Sequence, residues 1–127
     1  MPKRKTPRPT HTELEILRVL WRRGPSTVRE VHEELAATHP TDYTTVLKLM
    51  QIMAEKGLVS RNEERRAHVY EARVAREETQ AQLLGDLLDR AFEGSATKLV
   101  MQVLSSRRAS AEELEQIRSV LDELEGE

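Results

Sequence analysis

The feature that most constrains this chain is a series of three short apolar repeats, each closed by a helix-breaking residue. Leucine, valine and methionine recur every three or four residues in the repeats, a spacing that places them on one face of an α-helix. Gly24-Pro25, Pro40 and Gly57 end the repeats, because proline cannot continue the hydrogen-bond ladder and glycine favours a helix C-terminus. The pattern predicts three consecutive helices, over residues 13–23, 28–38 and 41–56.

Polar residues at the start of these segments match helix N-caps. The run from Thr12 to Glu15 fits a capping box, in which the threonine hydroxyl and the Glu15 carboxylate satisfy free backbone amides. Ser26 and Thr27, followed by Glu30, offer an N-cap to the second helix. We therefore expect the first helix to begin at about residue 13.

Two β-prone runs follow the helices. They span residues 58–61 and 68–73 and flank the charged segment 62–66, which is typical of a hairpin loop. Three helices followed by a hairpin is the element order of a winged helix. Aromatic residues make up only 3% of the chain, so aliphatic side chains on helices must supply most of the core. The sequence predicts a mainly α fold, a winged helix-turn-helix domain with a small β-hairpin followed by a C-terminal helical dimerisation region.

The C-terminal third returns to helical spacing and carries apolar stripes. Ser95 and Ser110 are predicted N-caps of its last two helices. Three helices of about fifty residues have too little interior to bury the stripes, so we expect burial against a second copy. Burial of the last stripe in an internal core is the alternative. The predicted dimerisation residues are Leu87, Leu88, Phe92, Leu114, Ile117, Leu121 and Leu124.

Charge divides the chain at about the same place. Residues 1–76 contain 15 Lys and Arg against 10 Asp and Glu, whereas residues 77–127 contain 5 against 12. A basic part can meet a polyanion, and an acidic part is better suited to contact with a partner protein. The predicted organisation is a basic tail over 1–10, a winged-helix DNA-binding domain over 11–75 and a helical dimerisation region over 76–127.

Several functional classes are excluded by what the chain lacks. Without cysteine there are no disulfides, thiolate metal sites or cysteine nucleophiles, which indicates an intracellular protein. The N-terminus has no apolar signal segment and no run of eighteen apolar residues occurs, so we expect a cytoplasmic protein without membrane insertion. The four histidines lack metal-ligand spacing, and no phosphate-binding loop or nucleophile elbow is present. We expect no metal, no cofactor and no enzyme active site.

The third predicted helix carries the candidate reader of a nucleic acid. At about 100° per residue, its outward face holds Thr44, Lys48 and Gln51, with Thr45 at the edge. Threonine hydroxyls contact phosphates or base edges, and lysine donates to a phosphate or to guanine. The pattern favours double-stranded DNA as the partner, whereas an ordinary solvated helix face is the alternative.

Arginines in the hairpin suit a DNA-contacting wing. Arg61, Arg65 and Arg66 would reach the flanking backbone or the minor groove. If Arg65, Arg66 and Lys48 form one positive surface, DNA is favoured. If Glu55, Glu63 and Glu64 cancel them, a winged-helix protein-interaction module without specific DNA binding is the alternative, since one fold hosts unrelated functions.

Four motifs occur in a recognisable order and spacing, at residues 12–21 (TELEILRVLW), 28–31 (VREV), 43–46 (YTTV) and 55–59 (EKGLV). Over residues 10–125 the chain thereby resembles the penicillinase-repressor (BlaI/MecI/CopY) family of bacterial winged-helix transcriptional regulators. The resemblance implies a homodimer that covers a pseudopalindromic operator and represses a resistance or stress operon. It implies DNA contacts for Thr44, Thr45 and Lys48, and Tyr43, from the same motif, joins the predicted contacts.

The resemblance also bears on how such a repressor is released. In the β-lactam branch of the family, a sensor-linked protease cuts an Asn-Phe bond in the C-terminal region. Gln102-Val103 occupies that place here, which leaves a different protease, a different trigger, or no cleavage at this bond as alternatives. The copper-responsive branch uses C-terminal cysteines, and their absence excludes copper-thiolate sensing.

Overall fold

A computed structural model describes residues 8–64 and 66–126, which form six α-helices and three short β-strands. The predicted mainly α architecture is confirmed. In chain order the elements are α1 (His11–Arg23), β1 (Ser26–Thr27), α2 (Val28–Ala36), α3 (Tyr43–Lys56), β2 (Val59–Asn62), β3 (Val69–Ala72), α4 (Arg76–Ala91), α5 (Ala96–Ser105) and α6 (Ala111–Glu125).

The chain divides into two compact units between Leu83 and Leu84. This division falls within α4, so the first half of that helix belongs to the first unit and its second half to the second. The first unit also contains α1 to α3 and the sheet. The second unit also contains α5 and α6.

Helical spacing predicted only part of the hydrophobic core of the first unit. On α1 it predicted Leu14, Leu17, Leu20 and Trp21 as the inward face, but Leu14 and Trp21 are only half-buried, and Ile16 and Val19 are buried in the core beside Leu17 and Leu20. Each of the first three helices contributes, and Tyr70 of β3 adds the one buried aromatic ring of the core. Removing this apolar surface from water is the main stabilising term, at about 25 cal/mol per Å². The helical core residues are Ile16, Leu17, Val19, Leu20, Val28, Val31, Leu35, Val46, Met50 and Met53.

The start of α1 corrects the predicted capping box. Thr10, not Thr12, is the N-cap: its hydroxyl accepts from the Glu13 N–H at 3.2 Å, and Glu13 Oε1 accepts from the Thr10 N–H at 2.9 Å. The helix thus begins at His11, two residues earlier than predicted. Both Thr10/Glu13 and Thr12/Glu15 have the required spacing, but the earlier start also places Glu13 Oε1 2.6 Å from Nζ of Lys56 on α3. A tertiary contact therefore favours Thr10 as the N-cap over the predicted Thr12, which has the same spacing to a glutamate.

The sheet contains a strand that the sequence did not predict. The antiparallel strands lie in the order β1-β3-β2, with Ser26 paired with Tyr70 and Arg61 with Tyr70 from the other side. Thr27 still caps α2 in a capping box with Glu30, as its position predicted. Two residues are too few to show the alternation of a strand, so β1 exists only because β3 offers it a free edge.

The turn between α2 and α3 runs from the end of α2 to the start of α3. Helix α2 ends at Ala36, two residues before the predicted end, and α3 begins at Tyr43 after an N-cap at Asp42. The predicted end of α3 at Gly57 is confirmed. Gly57 has a φ of +84°, a left-handed conformation that glycine adopts without steric cost.

The second unit has caps but no buried residue. Ser95 caps α5, and Ser110 with Glu113 forms the capping box of α6, as predicted. None of the residues described from Leu84 to Gly126 is buried. The helices of this unit therefore keep their apolar side chains at least partly in contact with solvent.

Candidate nucleic-acid interface

Helix α3 has one buried face and one exposed polar face. Thr44, Thr45, Lys48 and Gln51 are all exposed, whereas the intervening valine and methionines belong to the core. Tyr43, in the first turn, is 45% exposed. The helix thus presents a row of hydroxyl, ammonium and amide groups that core packing does not occupy.

A groove of about 460 Å³ lies between the start of α2, the exposed side of α3 and the hairpin. It brings together four of the predicted contact residues, Tyr43, Gln51, Arg61 and Arg66. The remaining predictions on α3, Thr44, Thr45 and Lys48, are exposed on the same helix but do not line this groove. Arg65 lies outside the described residues.

Two further residues that sequence reasoning missed line the same groove, Arg29 and His68. Arg29 lies in the first turn of α2, and His68 directly precedes β3. Arg29 belongs to the second of the four sequence motifs, but its role could be read only from the approach of α2 to the hairpin. Arg29, Arg61 and Arg66 line the groove, and among the described residues no carboxylate does.

Arg61 is held in place by two neighbours. Its Nε donates to Glu63 Oε2 at 2.8 Å, and its Nη2 lies 2.6 Å from the same oxygen. The hydrogen bond with the Tyr70 side chain, followed by that with Glu63, raises the pKa of the Arg61 guanidinium. These contacts favour the charged guanidinium, but Glu63 offsets part of its field.

The other cations of this surface are not offset in this way. Across residues 8–64 and 66–126, Arg29, Lys48 and Arg66 form no ion pair. The second wing glutamate, Glu64, also forms none, and its backbone N–H donates to Asn62 Oδ1 at 2.9 Å. Glu55, also exposed, lies on α3 near Arg61 and Glu63. The four described cations of this surface thus outnumber its three glutamates by one, and only Glu63 is paired with one of them, which favours a polyanion as the partner.

All of the predicted dimerisation residues lie in the second unit, and they are half-buried or exposed. Leu121 is 53% exposed and Leu124 is 64% exposed, while Leu88, Phe92 and Ile117 are half-buried. An apolar groove of about 470 Å³ runs between α5 and α6. Residues of α5 thus join the apolar surface of this unit, although they were not among the predicted dimerisation residues. The apolar residues that line the groove are Val100, Val103, Leu104, Ala109, Ile117, Val120 and Leu121.

The bond between Gln102 and Val103 lies inside α5. Gln102 is exposed and Val103 is 44% exposed, so the side chains are accessible. A protease binds its substrate in an extended conformation. Cleavage at this bond would therefore require local unwinding of α5.

The described parts of the chain hold neither a metal-binding cluster nor a membrane-spanning helix. No three His, Asp or Glu side chains there are grouped so that they could hold a metal ion. Over the same residues, no helix combines the length and the apolar character needed to cross a bilayer.

The fold consists of three helices followed by a hairpin, and a basic groove lies beside the exposed face of α3. These features are those of a winged-helix regulator of transcription. The sequence model of the penicillinase repressor family matches residues 9–123. The chain belongs to this family of repressors, and it is a DNA-binding transcriptional repressor and not an enzyme. The predicted resemblance is confirmed.

Curated relatives of known name cover most of the chain. Transcriptional regulator BlaI of Mycobacterium tuberculosis is 39% identical over 114 residues, which are 89% of this chain and 82% of that protein. The penicillinase repressor of Bacillus licheniformis is 24% identical over 94% of both chains. Methicillin resistance regulatory protein MecI of Staphylococcus aureus is 19% identical over 93% of this chain and 96% of its own.

Two solved structures share the fold of more than half of the chain. The DNA-binding domain of the repressor BlaI is 25% identical, with a TM-score of 0.53, and the match covers 60% of this chain and 93% of that one. The monomeric form of Bacillus licheniformis BlaI, solved in complex with the blaP half-operator, is 26% identical with a TM-score of 0.51. That match covers 58% of this chain and 90% of the other. The predicted winged-helix fold is confirmed.

Proposed function

We propose that this repressor acts as a homodimer on a pseudopalindromic operator of an antibiotic-resistance or stress-response operon. In this proposal residues 11–75 read the DNA, residues 76–127 join two copies, and the basic tail over 1–10 adds attraction to the phosphates. The observation that carries the proposal is the exposed polar face of α3 beside a groove lined by arginines and no carboxylate. The names of two relatives, which concern penicillinase and methicillin resistance, support the class of operon.

Helix α3 would enter the major groove. Thr44 and Thr45 would meet base edges with their hydroxyl and methyl groups, and Lys48 would donate to guanine or a phosphate. Tyr43 and Gln51 extend this contact along the helix. The hairpin residues Arg61, Arg65 and Arg66 would contact the flanking backbone or minor groove, since guanidinium groups bind phosphate bidentately.

The second unit would supply the dimer contact. The absence of any buried residue among those described from Leu84 to Gly126 supports this role, because helices with apolar faces gain stability only by covering them. A seam that includes Leu114, Ile117, Leu121 and Leu124 follows from their heptad spacing. Leu87 and Leu88 of α4, with Phe92 directly after it, extend the apolar surface available to the partner copy.

Two identical readers impose a spacing on the operator. In a twofold-symmetric dimer the half-sites lie about one or two helical turns apart, each turn being about 34–36 Å. The operator would therefore be an inverted repeat.

Release by a sensor-linked protease is part of the proposal for this chain. The exposure of Gln102 and Val103 supports cleavage in α5, and a cut there would divide the helices that hold the two copies together. Monomers would then bind a half-site with only one reader and lose most of the affinity. To find the position of the cut, fragments of the protein are recovered from inducer-treated cells and identified by mass spectrometry. Fragments that all end elsewhere would contradict cleavage between Gln102 and Val103.

The first experiment is a binding titration against the promoter DNA upstream of the protein's own gene, at several salt concentrations and with unrelated DNA as competitor. We expect a complex that resists the competitor and weakens with salt, because phosphate contacts release counterions. Lys48→Ala should weaken it by about 1–3 kcal/mol and lower the salt slope by about one. Lys98→Ala, an exposed lysine of α5, is the matched control and should change neither.

Binding no tighter than to unrelated DNA would contradict this operator and favour the protein-interaction module. Thr44→Val and Thr45→Val should reduce discrimination between operator and unrelated DNA by about 1–3 kcal/mol if each contacts a base. Unchanged operator affinity in these variants and in Lys48→Ala would contradict the assignment of the reading face.

The dimer seam is tested by the double variant Ile117→Asp with Leu121→Asp. It should elute as a monomer and lose tight operator binding, because the seam would bury charges that face each other. Ser119→Asp adds one carboxylate at an exposed position of the same helix and should remain dimeric. A double variant that still elutes as a dimer would place the seam elsewhere.

A further inference from the structure

A second cleft, separate from the DNA groove, lies between α1 and the first half of α4. Its volume is about 550 Å³, and all of its lining residues belong to the first unit. Trp21 and Leu14 line it from α1, and Leu83 lines it from α4. The volume falls within the range of about 300–1,000 Å³ that is usual for small-molecule sites.

The charge of this cleft is one-sided. Arg18, Arg22 and Arg76 line it, and no carboxylate does. Arg22 pairs with Glu34 at 3.2 Å, but within the described residues Arg18 forms no ion pair. Positive charge in a concave surface attracts a small anion more strongly than the same charge on an open face, because the low-dielectric walls focus its field.

The aromatic wall of the cleft is fixed in orientation. Nε1 of Trp21 donates a hydrogen bond to the carbonyl oxygen of Val74 at 2.9 Å. The guanidinium carbon of Arg76 lies 5.8 Å from the centroid of the Trp21 ring, within cation–π distance. These two contacts keep the indole in one position, so a ligand would find the apolar surface already formed.

The proposed repressor activity does not use these residues. None of them lines the DNA groove or lies on α3. Thr79 and Gln80, the polar residues on the α4 side, complete the cleft with hydrogen-bonding groups. A site with an apolar wall, a few polar groups and two guanidinium groups not held by carboxylates has the character of a ligand pocket.

We propose that this cleft binds a small organic anion with a flat apolar body and a carboxylate or phosphate group. The flat body would lie against Trp21 and the neighbouring leucine side chains. The anionic group would be bound by Arg18 and Arg76, since guanidinium groups form paired, charge-assisted hydrogen bonds with such oxygens. The affinity would therefore depend on both the flat apolar body and the anionic group of the ligand.

Trp21 makes the test direct, because it is the only tryptophan of the chain. The full-length protein is titrated with phenyl phosphate, and the fluorescence of Trp21 is recorded. We expect a saturable change in the millimolar range. Inorganic phosphate lacks the flat body and benzyl alcohol lacks the charge, so each should bind at least about tenfold more weakly, a difference of about 1.4 kcal/mol.

The variants Arg18→Gln and Arg76→Gln should each weaken phenyl phosphate binding at least about fivefold. Arg90→Gln removes an exposed arginine near the end of α4, which lines neither groove, and is the matched control, with unchanged binding. Arg18 is exposed and unpaired within the described residues, so its variant tests the site even if Arg76→Gln fails to fold.

A linear response without saturation, or equal binding by Arg18→Gln and the wild-type protein, would overturn the proposal. A third outcome would also overturn it: the wild-type protein shows no saturable phenyl phosphate binding, and Arg18→Gln lowers the salt slope of operator binding. This face of the protein would then be a contact for DNA phosphates. The phenyl phosphate titration itself contains no DNA, so its outcome does not depend on whether the proposed operator is correct.

Discussion

Nε2 of His32 lies 2.7 Å from the carbonyl oxygen of Thr41. Since a carbonyl only accepts, the histidine nitrogen donates, and α2 is thereby tied to the turn that leads into α3. The same ring meets the ring of Tyr43 edge-on, with centroids 5.9 Å apart and planes at 84°. Asp42 forms no side-chain cap at the start of α3, in contrast to the capping boxes of α1, α2 and α6. His32 therefore takes part in fixing the N-terminal end of the reading helix.

Replacement of His32 should weaken operator binding without loss of the fold. His32→Leu removes the donor to Thr41, whereas His32→Gln keeps an N–H donor at a similar reach. We expect the leucine variant to bind the operator about five- to tenfold more weakly, equivalent to about 1 kcal/mol, and the glutamine variant to recover most of the loss. Affinities for operator and for unrelated DNA are measured in parallel. Equal losses in both variants would show that the donor does not matter.

Removal of the wing carboxylate should strengthen DNA binding. Glu63→Gln leaves Arg61 without its ion pair, so its guanidinium is released to a phosphate. We expect a higher affinity for DNA and a steeper salt dependence, by about one phosphate contact. Glu64→Gln removes the same charge from the next residue, which forms no ion pair in the described chain, and should have the smaller effect. An equal gain in both variants would mean that only net charge matters.

The capping box of α2 should make stability sensitive to acid. The Thr27 N–H, which donates to Glu30 Oε1 at 2.8 Å, lowers the pKa of Glu30 below its ordinary value of 4.5, helped by the Thr27 hydroxyl and the charge of Arg23. Because the pKa of Glu30 is lower in the folded state, its carboxylate stabilises the fold at neutral pH. This stabilisation is lost as the pH falls through the pKa of Glu30 in the folded protein.

Glu30→Gln should therefore lower the free energy of unfolding at neutral pH by about 0.5–1 kcal/mol, since the side chain is partly exposed. The difference from the wild-type protein should shrink below pH 4.5, the ordinary pKa of the group. Urea unfolding at fixed protein concentration, at several pH values, measures it. Glu33→Gln, on the same helix, serves as control, and a difference that persists in acid would contradict the sign.

The ion pair between Glu13 and Lys56 should be strongly coupled. Glu13 is 2% exposed, so Lys56→Met would leave a buried carboxylate without its cation and cost about 2 kcal/mol. Glu13→Gln with Lys56→Met should be closer to the wild-type protein than Lys56→Met alone, because no buried charge remains. The amide oxygen can still accept from Thr10. A double-mutant cycle by urea unfolding measures the coupling, and additive effects would argue against it.

Local signals predicted much of the candidate site. The spacing of apolar residues in α3 predicted which of its side chains would be exposed, and Gly57 predicted its end. Sequence could not predict that Arg29 would join the groove, because its position depends on the approach of α2 to the hairpin. Nor could it show that Glu63 would offset Arg61 while Arg66 stayed unpaired, since a loop of charges permits several pairings.

The sequence by itself determined the helices, part of their apolar faces and the family, because helical periodicity, capping and motif spacing are properties of neighbouring residues. Only the tertiary structure decided between Thr10 and Thr12 as the first cap, added the strand at Ser26 and gathered the cations of two elements around one groove. The physical reason is the same in each case. Such features depend on contacts between residues distant in sequence, as between Glu13 and Lys56 or Ser26 and Tyr70, and no local pattern records them.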